Sequence, residues 1–172
     1  MGIENEVDMG GLTLIVKDIN TGATGPGTAA TANKTTAAGS TLTVTRASHL
    51  GRTILLDTLT GSVATLPASS GSGDKYKFYV SVAPTSNAHI VKVANATDVF
   101  KGWVSTATTT EATSEEEAAG GTDDTLTMNG TTTGGIAGSY IEVEDVISGT
   151  WRLTGFLIGS GTLTTPLSAT VS

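Results

Sequence analysis

The sequence predicts an all-β protein: an antiparallel β-sandwich or barrel-like body over residues 41–172, preceded by an extended N-terminal arm. Three observations predict it. Short runs rich in Val, Ile, Leu and Thr recur at roughly ten-residue spacing, separated by Gly, Ser, Asn or Pro. Several of these runs alternate apolar and polar residues with period two, the period of a strand with one wet face. No long segment carries the 3.6-residue period of a helix that buries one side.

The first strand-like run is Leu12–Ile19. Asn20–Ser40 follows without one bulky apolar side chain, strung instead with Gly, Thr and Ala. Such a composition behaves as a linker, and a structureless stretch of that length is out of place inside a compact domain. Residues 1–40 are therefore assigned to an arm and linker, and 41–172 to the body. Fully extended, the linker spans roughly 60–70 Å.

Within the body, Thr41–Thr45, Arg52–Thr58 and Ser62–Leu66 are strands, the last halted by Pro67. Ala68–Gly73 is a Ser/Gly loop. Asp74–Ala83 alternates most cleanly, with Tyr76, Phe78 and Val80 on one face and Lys75, Lys77 and Tyr79 on the other. His89–Ala94 and Val99–Val104 follow. Ser105–Asp124 is polar; Ser114 and Glu117 have capping-box spacing, but no apolar stripe follows, so a solvated loop with at most one helical turn is expected. Thr125–Met128 is a short strand. Ser139–Ile147 and Thr150–Ile158, joined by Ser148–Gly149, form a β-hairpin, and Ala169–Val171 closes the sheet. Aromatics are scarce, so Val, Ile and Leu make the core, with Phe78, Trp103, Trp151 and Phe156 as its large anchors. The tetrapeptide Asp-Thr-Leu-Thr occurs at 57–60 and 124–127, an echo that this low-complexity background produces by chance.

Composition narrows the function. There is no cysteine, which excludes disulfides, thiolate metal sites and cysteine nucleophiles. Nine basic residues and a formal net charge of −7 make a poor binder of phosphate backbones or anionic membranes. Neither nucleic acid nor membrane is expected as a partner. Charged residues are only 15% of the chain, a weakly charged surface that suits a protein packed in an assembly. No apolar run is long enough for a membrane-spanning helix. The acidic start, with Glu4, Glu6 and Asp8, is unlike a secretory signal.

No catalytic set emerges. His49 and His89, the two histidines, lack partners at metal-ligand spacing, and His89 opens a strand in the manner of a structural histidine. No serine sits in a G-x-S-x-G elbow. Lys34–Thr35 lacks the preceding Gly of a P-loop. Glu142, Glu144 and Asp145 cluster, and the simplest reading is the wet face of a strand whose other face holds Ile141 and Val143; the alternative is a carboxylate pair that binds Ca²⁺ or does acid–base work. The expectation is a protein without enzymatic activity, cofactor or metal.

The run from Gly51 to Gly102 has a TILLDT strand, a TLPA strand end, a Ser/Gly turn, KYKFYV and then SNAHIVKVAN; GSYIEVEDVISGTW follows at Gly138–Trp151. These stretches resemble small virion proteins of tailed bacteriophages, podovirus-like and marine phages in particular, over roughly residues 41–172. The resemblance implies a β-sandwich that binds other virion proteins, with no catalytic residues to carry over. The expected role is capsid decoration: a cement protein on the outer surface of the phage head, bound to the major capsid protein and self-associated, with a trimer as the guess. Leu12, Leu14, Val16 and Ile19 would add the arm as a strand to a partner's sheet edge. The alternative is a tail or fibre-associated protein that binds host glycans, with Trp103, Trp151 and Tyr79 as a stacking platform.

Overall fold

The computed structural model describes residues 5–8, 13–16, 35–110 and 113–171. The chain divides into two compact units, residues 1–34 and 35–172. In the first, β1 (Asn5–Asp8) and β2 (Thr13–Val16) pair antiparallel, Asn5 opposite Val16 and Asp8 opposite Thr13. Leu14 therefore faces Val7 in register and Val16 faces Asn5, whereas Leu12 and Ile19 lie outside the described residues.

The second unit is all-β apart from a single helical turn. It runs β3 (Thr35–Ala37), β4 (Thr41–Thr43), α1 (Arg46–His49), β5 (Thr53–Leu56), β6 (Val63–Thr65), β7 (Lys75–Val80), β8 (His89–Lys92) and β9 (Val99–Thr108). Then come β10 (Ser114–Ala118), β11 (Thr125–Met128), β12 (Tyr140–Ile147), β13 (Thr150–Gly159) and β14 (Leu167–Ser168). Two sheets form, a seven-stranded one in the order β10-β9-β13-β12-β7-β5-β3 and a five-stranded one in the order β14-β11-β8-β6-β4. They pack as a sandwich, and their inner faces supply one core containing Ile54, Phe78, Ile141 and Leu153 from the larger sheet and Ala64, Val91, Leu126 and Met128 from the smaller.

The sheets are mixed rather than purely antiparallel. From β3 to β8 the chain alternates between sheets strand by strand, so β3, β5 and β7 run parallel in one sheet and β4, β6 and β8 parallel in the other. A parallel pair needs a long crossover. Here each crossover contains a strand of the facing sheet, so short connections suffice. The second half returns antiparallel, β12 against β7 and β13, and β11 against β8 and β14, while β9 lies parallel to β13 over its full length.

Four expectations need correction. Thr35–Ala37, placed in the linker, is the edge strand β3. Ser114–Ala118 is neither loop nor helical turn but the opposite edge strand, because β9 offers it a full row of backbone partners and its three glutamates tolerate an exposed edge. The closing strand is Leu167–Ser168 rather than Ala169–Val171. Trp103 and Phe156 point outward, so Tyr76 and Phe100 take their place beside Phe78 and Trp151 as the buried large anchors. The Asp-Thr-Leu-Thr echo is no duplication, since 57–60 is a turn after β5 and 124–127 runs into β11.

Candidate functional site

Strand registers fix what the outer face of the seven-stranded sheet presents. Residues of one parity on β9, β13, β12, β7, β5 and β3 line up in rows across the strands. One row reads Ser105, Phe156, Tyr140, Tyr79, Leu55 and Ala37. The next reads Trp103, Thr154, Glu142, Lys77, Thr53 and Thr35. A third carries Lys101, Arg152, Glu144 and Lys75.

Half of the chain's aromatic residues stand on this one face. Tyr140 is 54% exposed, Trp103 48%, Tyr79 41% and Phe156 40%. Tyr79, Tyr140 and Phe156 occupy adjacent strands in one row, and Trp103 is the diagonal neighbour of Phe156 one strand further. The row beside them holds one ion pair, and the next sets Lys75, Arg152 and Lys101 against the single carboxylate of Glu144, Lys101 donating instead to the Gly120 carbonyl. Lys77 Nζ lies 3.5 Å from Glu142 Oε2, Lys75 Nζ lies 3.5 Å from Glu144 Oε1, and Arg152 pairs with the other oxygen of Glu144. Between Tyr79 and Tyr140 opens a cleft of about 250 Å³ whose wall also includes Lys77, Glu142 and Thr53.

Two of the three residues of the stacking platform drawn from the sequence are thus present. Trp103 and Tyr79 share the face, but Trp151 has only 1% exposure and sits in the core, its ring 5.9 Å from that of Tyr76. Tyr140 and Phe156, which bridge Tyr79 to Trp103, were missed. The parity of the hairpin Ser139–Ile158 was the signal that could have found them. Glu142 and Glu144 lie on the wet face as expected.

Asp145, grouped with them by sequence, has the opposite parity and is buried. The Ser69–Ser72 loop wraps its carboxylate. The backbone N–H groups of Ser70, Gly71 and Ser72 donate to it at 3.0, 2.8 and 3.0 Å. The hydroxyls of Ser69, Ser70 and Ser72 donate at 2.9, 3.0 and 2.8 Å. Burial is the largest single influence and by itself disfavours the charge. The donated hydrogen bonds, those of Ser72 and Gly71 foremost, together outweigh it and hold the carboxyl well below the usual range. This is a structural lock between a loop and the β12–β13 hairpin.

A cavity of about 350 Å³ adjoins it, lined among others by Arg46, Asp74, Tyr76 and Trp151. Arg46 pairs with Asp74 at 3.1 Å, and the Tyr76 hydroxyl donates to the same carboxylate at 3.4 Å. Burial, then the charge of Asp74, pushes the Tyr76 phenol up to about 12.

Both histidines are structural. His89 is buried; its Nδ1 accepts from the Ser62 N–H at 3.0 Å and its Nε2 donates to the Val82 carbonyl at 2.8 Å, so the ring is neutral. His49 Nδ1 accepts from the Thr45 N–H at 2.9 Å beside the single turn of α1. Among the described residues no group of three His, Asp or Glu side chains is placed to hold a metal ion, and no helix is long and apolar enough to cross a membrane. Comparison with protein families, with characterised proteins and with solved structures finds no match to the chain.

Proposed function

We propose that this chain is a structural, non-enzymatic protein of a tailed-bacteriophage particle, a decoration protein that binds the outer surface of the head and stabilises it. Its partners are the major capsid protein and further copies of itself, a trimer being the arrangement that places identical bodies around a threefold position. The resemblance of residues 41–172 to small virion proteins motivates this reading. The observation that carries it is the division of the chain into a body with its own core and a separate N-terminal unit built on a two-stranded hairpin.

An isolated two-stranded hairpin is marginally stable in water. Among the described residues β2 is paired on one side only, by β1, so its other edge can receive a strand. Adding that edge to a sheet on a neighbouring subunit would supply main-chain hydrogen bonds to both partners. Repeated over a symmetric shell, such contacts gain avidity from multiplicity. The residues proposed for this contact are Leu12, Leu14, Val16 and Ile19.

The test is immunogold labelling of intact particles whose genome encodes this chain. Gold distributed over the head is the expected result. Gold confined to the tail would replace decoration by a tail or fibre role, and unlabelled particles would overturn the surface location altogether.

A further inference from the structure

We propose that the aromatic face of the seven-stranded sheet is a carbohydrate-binding surface for an extended, neutral oligosaccharide, with the cleft between Tyr79 and Tyr140 as its central subsite. This goes beyond the decoration role and does not depend on where in the particle the chain sits.

Shape comes first. Tyr79, Tyr140 and Phe156 stand on three consecutive strands, and Trp103 on the fourth. At ~4.8 Å between strands, the line of rings is about 14 Å long. That length suits several sugar units laid across the strands rather than a single ring. The cleft of about 250 Å³ between the two tyrosines gives one unit a concave seat.

Chemistry comes second. A pyranose offers C–H groups on its faces and hydroxyls around its rim. The face offers half-exposed aromatic rings and, in the next row, Thr154, Glu142, Lys77 and Thr53. Lys77 and Glu142 are paired with each other, as are Lys75 and Arg152 with Glu144. A charged ligand lying along the rings would have to break the Lys77–Glu142 pair that borders them. A neutral one meets the outer donors and acceptors of that pair with the pair intact.

Size and charge agree with this. Aromatic side chains bury ~150–250 Å² each, so four rings about half exposed present roughly 400 Å², enough for an oligosaccharide. The row that borders the rings is balanced by its Lys77–Glu142 pair, and the surplus positive charge of Lys101, Arg152 and Lys75 over Glu144 lies one row further out.

The test uses the full chain and four defined neutral probes, the hexasaccharides of β-1,4-linked glucose, mannose, xylose and N-acetylglucosamine, with oligogalacturonate as an acidic control. Trp103 is exposed and Trp151 buried, so tryptophan emission reports the face. The expected result is a saturable emission change with at least one neutral hexasaccharide and weaker binding of its trisaccharide. Tyr140→Ala should weaken binding by about tenfold, the scale of one lost ring contact. Leu59→Ala, an exposed site in the turn after β5, should leave it unchanged. Both substitutions are at exposed side chains, and the far-UV spectrum confirms that each variant is folded. No response to any neutral probe at about 10 mM, a preference for oligogalacturonate, or binding that survives both Tyr140→Ala and Trp103→Ala, the latter read by titration calorimetry because it removes the emitting residue, would overturn the proposal. So would concentration-dependent dimerisation that Tyr140→Ala abolishes, since the face would then belong to a second copy.

Discussion

At the scale of single residues, the chain's most demanding group is Asp145. A buried carboxylate is tolerated only when its charge is met by donors, and here three backbone N–H groups and three serine hydroxyls meet it. Asp145→Asn keeps the shape but turns an amide N–H toward N–H donors. It should cost about 3 kcal/mol in urea unfolding, the scale of losing charged hydrogen bonds in a buried site. His89 makes a separate prediction. Its burial lowers the folded-state pKa below 6.5, so on acidification the unfolded chain takes up the proton first. The stability it contributes is complete above pH 6.5 and is lost as pH falls through the folded value. His89→Gln should flatten the decline in urea midpoint that sets in as pH falls below 6.5, even if its midpoint is lower throughout. Asp145 acts in a different window, below its ordinary value of 3.8. Its inward direction was legible, because it shares parity with Ile141 and Val143. Its partners were not, because a Ser/Gly loop 73 to 76 positions earlier carries no sign of what it wraps.

Among the elements, period-two alternation made β7, β12 and β13 readable, and the faces assigned to Tyr76, Phe78, Ile141 and Val143 hold. The Ser148–Gly149 turn closes the hairpin as expected, with Gly149 at φ +81° where a Cβ would be strained. Pairing direction was not readable. Short polar connections suggest hairpins, and nothing local tells β5 that its next strand lies in the opposite sheet. Edge strands were likewise missed, because β3 and β10 owe their form to a neighbour's backbone rather than to their own side chains. The core row that crosses the larger sheet runs Val104, Gly155, Ile141, Phe78 and Ile54. Gly155 is needed there because an added Cβ would lie 2.5 Å from Ile141 Cγ2 and 3.2 Å from Val104 Cγ1. Gly155→Ala should destabilise the body by about 2 kcal/mol through overpacking. If that contact is the cause, pairing it with Ile141→Ala will cost less than the two single losses combined, which a double-mutant cycle measures directly.

For the whole molecule the question is whether the body needs residues 1–34. The buried hydrophobic cluster runs from Ala38 to Leu167, with Val171 packed against it, and both sandwich sheets are drawn entirely from the second unit. The core built by the described residues of 35–171 is therefore all present in a chain that lacks the arm, and a single domain of this size is expected to unfold in one step. Removing residues 1–19 should leave one cooperative thermal transition, with the midpoint within about 2 °C of the full chain's. On the decoration reading the same deletion should reduce association with purified heads by at least about tenfold, because the strand addition and its avidity are lost together. Cosedimentation of both forms with heads, read beside their melting curves, separates the possibilities. A folded body that binds as well as the full chain would remove the arm from the mechanism and leave attachment to the body's own surfaces. A body that no longer melts cooperatively would mean that the N-terminal unit supports the fold rather than the particle.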